Sequence, residues 1–340
     1  MTWYFLRRLL LIVPTFIGIT ILVFVITRFV PGGPIERMIA QVQQASMESG
    51  MTRDGVGAAT LDEEQLRQLE EYYGFDKPVL VSYWEWLLKV VHLDLGTSTR
   101  YSEPVWDTIK ERLPVSAYYG IMTMLITYFI SIPLGYWKAI KHNSHFDHAS
   151  SFVVFIGYAI PSYVIGIILL VVFASNLEWF PMGGFYSDEF EDLESTWEQA
   201  KDILYHSVLP LLSYVAGSFA VMTFMMKNAL MDNLAADYVR TAIAKGLPFR
   251  KAITRHALRN SLIPIATHFG NNISVIIGGS FLIEKIYNID GLGLLGYESI
   301  VERDYPIVLG VLVISAILQL LGNILSDICV AVVDPRVQFK

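Results

Sequence analysis

Six stretches of about 20 largely apolar residues, separated by charged segments, constrain this chain more than any other feature. They run roughly over 9–30, 115–137, 151–174, 207–226, 263–283 and 307–333, each the length that crosses a hydrocarbon core as a helix. The chain is 54% hydrophobic and 17% charged, more apolar than a single soluble core takes up. The expected fold is all-α and integral to a membrane, with about six transmembrane helices. Pro133, Pro161, Pro210, Gly278 and Gly279 fall inside spans, where neighbouring helices satisfy the backbone groups such residues free.

The first span follows Arg7 and Arg8, as a signal peptide would. It is too long for the apolar region of a signal and has no small-x-small cleavage site, so it reads as a retained anchor.

Charge sets the orientation. Segment 227–262 holds seven bases (Lys227, Arg240, Lys245, Arg250, Lys251, Arg255, Arg259) against two acids, Asp232 and Asp237, which places it in the cytoplasm. Segment 177–206 holds eight acids (Glu178, Asp188, Glu189, Glu191, Asp192, Glu194, Glu198, Asp202) and one base, Lys201, in keeping with the outer side. Alternation then puts 31–114 outside as a large external lobe after the first helix, and both termini in the cytoplasm. Within that lobe, 61–72 reads as a helix with Asp62, Glu63 and Glu64 at its start. Tyr83, Trp84 and Trp86 in 79–91 suit either a helix at headgroup level or a packed helix of the lobe.

The most informative stretch is AADYVRTAIAKGLP at 235–248, followed by HALRNSLIP at 256–264. It reads as a short helix ending near Gly246, where glycine permits positive φ, and a second basic helix leading into the fifth span. A plain basic linker near anionic headgroups has no use for small Ala242 and Ala244 beside Tyr238, Arg240 and a turn glycine. A helix with one close-packing face does.

Other patterns exclude functions. No G-x-x-x-x-G-K-[ST] occurs, so the usual nucleotide cradle is missing, and neither H-E-x-x-H nor G-x-S-x-G is present. GLGLLG at 291–296 matches a dinucleotide fingerprint formally, but no βαβ unit surrounds it. It reads instead as a tight loop between the fifth and sixth spans, with Gly291 and Gly293 allowing close backbone approach at an external gate. Cys329 is the single cysteine, so an intrachain disulfide is impossible. No catalytic or metal site is expected. Asn271, Asn272 and Ser274 in the fifth span, with Gln319, Asn323 and Asp327 in the sixth, either line a water-filled path or bond helix to helix.

With these motifs in place, the chain resembles the membrane subunits of ABC importers for dipeptides and oligopeptides. The 237–247 run is similar to that family's cytoplasmic coupling motif, although Arg240, Thr241 and Ala242 stand where the wider superfamily has Glu-Ala-Ala. RRL at 7–9, PGGP at 31–34, YGFDKP at 73–78, DLGTS at 94–98, HSVLP at 206–210, GLG at 291–293, RDYP at 303–306 and DPR at 334–336 extend the resemblance over nearly the whole chain. It looks most like the B-type permease of importers that also take up microcin C.

The resemblance implies a type I importer permease in the cell inner membrane, not an enzyme, moving peptides by alternating access. It implies a second homologous permease, cytoplasmic ATPase subunits that carry ATP and magnesium, and an external solute-binding protein, with no cofactor in this chain and no nucleic-acid partner. Tyr238, Arg240, Thr241, Ala242, Lys245, Gly246 and Leu247 would contact an ATPase. The expected organisation is an N-terminal end and first helix over 1–30, the external lobe over 31–114, a five-helix core over 115–335 with the coupling loop 227–262, and a tail over 336–340. The competing class is an ion-coupled secondary transporter, which needs no ATPase.

Overall fold

The computed structural model describes residues 2–29, 67, 76–278 and 280–333. Among them the elements are helical, with one isolated antiparallel bridge between Thr97 and Pro104. The helix expected over 61–72 lies outside the described residues but for Arg67, as does the PGGP motif.

The helices are α1 (Thr2–Phe29), α2 (Val79–Val91), α3 (Val105–Ile140), α4 (His145–Ala159), α5 (Ser162–Leu169, continued by a π-helical turn Leu170–Asn176), α6 (Thr196–Ala235), α7 (Asp237–Ala244), α8 (Phe249–Ala252), α9 (Leu258–Gly278), α10 (Phe281–Ile286), α11 (Leu292–Val301) and α12 (Tyr305–Val333). Three of them, α3, α6 and α12, are long and apolar enough to cross a membrane. The pair α4 and α5, which covers the span expected over 151–174, passes the same test together but is bent by 97°, as a broken span or a re-entrant loop is. The cause is local: Pro161 takes φ −54° and ψ 138° and starts a new helix, since it cannot donate to the preceding turn. The expected fifth span is also interrupted. Helix α9 stops at Gly278, and Ser280 is extended before α10 begins.

The chain divides into two compact units. One comprises Met1–Leu11, Arg112–Leu295 and Ile317–Lys340, and its centre is α6, against which α4, α5 and α9 pack. At 40 residues, α6 is about 60 Å long, roughly twice a ~30 Å hydrocarbon core, so it carries side chains beyond the lipid. Its start is fixed by Ser195, whose hydroxyl accepts the Glu198 N–H at 3.2 Å, the capping-box spacing. Two apolar clusters sit toward opposite ends of α6: one around Met226, Leu230, Val239, Ile253 and Ile265, the other around Tyr119, Leu209, Ile283 and Tyr287.

The second unit comprises Ile12–Glu111 and Gly296–Ala316. There α2 packs on α1 through Phe24, Tyr83 and Leu87, with the Thr20 and Tyr83 hydroxyls 2.9 Å apart. The aromatic segment 79–91 is therefore a packed helix, with Trp84 exposed. Two motifs distant in sequence meet in this unit: Ser98 Oγ of DLGTS donates to Asp304 Oδ2 of RDYP at 2.5 Å, and Asp304 is fully buried.

Candidate functional site

In the hairpin between α6 and α9, helix α7 is anchored by one buried residue. Val239 is 0% exposed and joins the Met226 cluster, with Leu247 packed at its margin. Helix α7 ends in a two-bond C-cap: the Gly246 N–H donates to the Ile243 carbonyl at 2.9 Å and the Leu247 N–H to the Ala242 carbonyl at 3.1 Å. This closure needs a left-handed residue just past the helix, and Gly246 has φ +88°. Nothing lies within 4 Å of the position a Cβ would take there. The glycine is required by backbone conformation, not by crowding.

Opposite Val239, the hairpin presents Asp237, Tyr238, Arg240, Thr241, Ile243, Lys245 and Gly246 outward. Ile243 and Phe249 are 39% and 52% exposed, so apolar groups stand among the bases. Tyr238 ties three elements together: its hydroxyl donates to Asn233 Oδ1 at the end of α6 and accepts from Asn260 Nδ2 on α9 at 3.0 Å.

Near the same end of α6 lies a buried ionic cluster. Asp147, at the start of α4, receives Lys227 Nζ from α6 at 2.8 Å on both carboxylate oxygens and stands 3.1 Å from Lys138 Nζ of α3. Burial alone would raise its carboxyl, but the two lysines and the Asn143 N–H hold it below the usual carboxylate range. Lys138 is filled further by Ser150 and Ser151 at 2.9 and 2.7 Å. One carboxylate thus joins three helices.

The loop between α10 and α11 is organised by Glu284. It is 2% exposed, and its Oε2 accepts the Leu294 N–H at the start of α11 at 2.6 Å. A Cβ on Gly291 would meet the Glu284 carboxyl at 2.6 to 2.7 Å, so that glycine is required by crowding. The Leu292 N–H donates to Ser116 Oγ at 2.8 Å, Arg112 Nε to Asp290 Oδ1 at 2.7 Å and Tyr287 Oη to the Gly166 carbonyl at 2.9 Å. The loop is sewn to α3 and α5.

Of the expected coupling residues, the hairpin brings all seven onto one short segment. Ala242 and Leu247 are half-buried, while Tyr238, Arg240, Thr241, Lys245 and Gly246 are exposed. Gly291 lies in the loop and is buried, while Gly293 falls in the first turn of α11. Asn271, Asn272 and Ser274 are on α9, but their side chains lie outside the described residues. Some sixth-span polar groups bond locally or to α9: Gln319 Nε2 donates to Asn323 Oδ1 at 3.2 Å, and Ser326 Oγ reaches the Thr267 carbonyl at 2.7 Å. Sequence reasoning missed Val239, Asn233, Asn260, the Asp147 cluster and Glu284. A lone acid directly after an apolar span was the available signal for Glu284.

The long apolar helices and the exposed basic hairpin agree with comparison to known proteins. The family described as binding-protein-dependent transport system inner membrane component matches residues 131–339. The chain is 40% identical to the peptidoglycan transport system permease protein YejB of Agrobacterium fabrum, over 99% of this chain and 98% of that one. It is 37% identical to the oligopeptide transport system permease protein AppB of Bacillus subtilis and 31% identical to the dipeptide transport system permease protein DppB of Escherichia coli, over 100% of each chain. The chain belongs to the inner-membrane permease family of binding-protein-dependent transport systems. It is a multi-pass transport subunit of an ABC importer, which sets aside the ion-coupled alternative.

Proposed function

We propose that this permease moves peptides or peptide-like compounds into the cytoplasm by alternating access, as one half of a heterodimer with a second related permease. ATP and magnesium act on partner ATPase subunits, with no cofactor in this chain, and an external solute-binding protein delivers the cargo. In this reading six spans cross the inner membrane with both termini in the cytoplasm, 31–114 forms an external lobe, and 115–335 is the permease core. The names of the relatives, which cover peptidoglycan, oligopeptide and dipeptide transport, support the cargo class.

The observation that carries the mechanism is the hairpin: a short helix anchored by Val239 alone among its fully buried residues, closed at Gly246 and otherwise facing outward. Such an element suits the groove of an ATPase, with Tyr238, Arg240, Thr241, Ala242, Lys245, Gly246 and Leu247 at the contact. The loop holding Gly291 and Gly293 serves as the external gate, and Asn271, Asn272 and Ser274 line the path between. Peptide uptake by cells carrying Gly246→Val tests the coupling role. Uptake should be lost while the protein remains in the membrane at normal level, and normal uptake would sink the reading.

A further inference from the structure

The first unit holds a half-open cavity of about 280 Å³ between α3, the start of α5, α6 and the α10 segment. Its polar side chains are hydroxyls, among them Thr123, Thr127, Ser162, Tyr214 and Ser218, together with one carboxylate, Glu284; no base lines it. Thr127 and Ser218 satisfy each other at 3.0 Å. Thr123 Oγ1 is buried and has no hydrogen-bond partner.

Glu284 is unevenly served. Its Oε2 takes a short bond from the Leu294 N–H and the Gly293 N–H also bonds the carboxyl, but the one side-chain donor at Oε1 is the Tyr214 hydroxyl, at 3.4 Å. A hydroxyl bonded to a carboxylate normally sits at about 2.5 to 2.7 Å, and each oxygen has about two acceptor sites. Among the described residues no Lys, Arg or His forms an ion pair with Glu284. A buried charge without a counter-charge is costly. A cation rich in donors would supply both the counter-charge and the missing hydrogen bond, and an ammonium carries three donors.

Size narrows the choice. Pockets for drug-sized molecules run from about 300 to 1,000 Å³, so this one, at the low end, suits one end of a peptide. We propose that the cavity is a subsite for the protonated terminal amine of a transported peptide, with Glu284 as its counter-ion and Thr123 Oγ1 as a further acceptor. The proposal rests on the peptide reading above and adds to it a site within this chain, separate from whatever the solute-binding protein selects.

The test uses the purified permease–ATPase complex without its binding protein, titrated with trialanine and with N-acetyl-trialanine while thermal unfolding is followed. Trialanine should raise the unfolding temperature of the wild-type complex and the acetylated peptide should not. Glu284→Gln should weaken the apparent trialanine affinity at least ~tenfold, and Thr123→Val should weaken it ~fivefold. Thr123→Val keeps the carboxylate in place and covers the case in which Glu284→Gln fails to fold. No shift with wild type, a shift that survives Glu284→Gln, or equal shifts from both peptides would overturn the site. ATP-driven trialanine uptake by the wild-type complex is measured in parallel. Uptake without a Glu284-dependent shift removes only the subsite, whereas absence of uptake removes the peptide reading itself.

Discussion

The hairpin at 235–248 and the loop at 284–294 each depend on a glycine, but for opposite reasons. Gly246 has a positive φ and open space around it; Gly291 sits where a Cβ would strike the Glu284 carboxyl. The hairpin is held by one buried valine, a C-cap and the Tyr238 bonds, and its remaining face is exposed. The loop is buried and bonded to α3 and α5 at several points. Under the proposed roles, an element grasped by a partner needs a free face, whereas one that closes a path needs its interior filled. Substitutions in the loop should therefore act on stability, and those in the hairpin on coupling.

The largest effect is expected at neither glycine. Asp147→Ala leaves the buried Lys138 and the half-buried Lys227 around an absent carboxylate, and removing one partner of a buried ion pair costs about 3 to 5 kcal/mol. Its carboxyl in the fold lies below the usual carboxylate range, so the stabilisation is present above that range and is lost as pH falls through the folded value. Chemical unfolding in detergent should show a large loss at neutral pH that narrows toward strongly acidic pH. Because Asp147 and the hairpin lie toward the same end of α6, a large loss here sharpens the comparison: burial, not position along the bundle, decides which contacts carry stability.

Next comes Gly291→Ala. The new methyl forces the Glu284 carboxyl off its bond to the Leu294 N–H, and overpacking of this kind costs about 1 to 3 kcal/mol. Both the unfolding midpoint and peptide uptake should fall. Uptake falling with an unchanged midpoint would place this loop in the hairpin's class and break the contrast.

These regions differ in how much of them the sequence discloses. The hairpin was legible because its determinants are local: small residues, a turn glycine and a basic second helix lie within 30 residues or so of one another. The spans were legible from apolar length alone, which specifies that a segment crosses lipid but not whether it stays straight. Pro161 was visible inside the third span, yet whether a proline is accommodated or starts a new helix depends on neighbouring helices that no local pattern records. The loop glycines were legible as a tight turn, but the reason for Gly291 is a carboxyl seven residues earlier that folds back onto α11. Asp147 meets Lys227 across 80 residues, and nothing in the charge of either loop announces the pairing.

Gly246→Ala separates conformation from crowding. No atom obstructs the added methyl, so the penalty is the left-handed backbone alone, about 1 to 2 kcal/mol for a non-glycine residue. Much of it can be relieved locally by unwinding the last turn of α7. Global stability should change by less than in Gly291→Ala, while ATPase retained on the purified permease should drop. The reverse ordering of the two variants in an unfolding assay would mean that the hairpin, not the loop, is the rigid element.

The smallest effect separates the two kinds of hold within the hairpin itself. Tyr238→Phe removes the hydroxyl that joins Asn233 and Asn260 but keeps the ring, which is 41% exposed. An exposed neutral hydrogen bond contributes under about 1 kcal/mol, because water replaces the lost partner on each asparagine. The unfolding midpoint should hardly move, since Val239 still anchors the helix. Amide exchange over 236–246 should quicken, because the bonds that link α7 to the ends of α6 and α9 are gone while the C-cap at Gly246 remains. If exchange stays at the wild-type rate, Val239 and the C-cap alone order the hairpin. If the midpoint instead falls as far as in Gly291→Ala, the hairpin is held as firmly as the loop, and the division between a grasped element and a filled one fails.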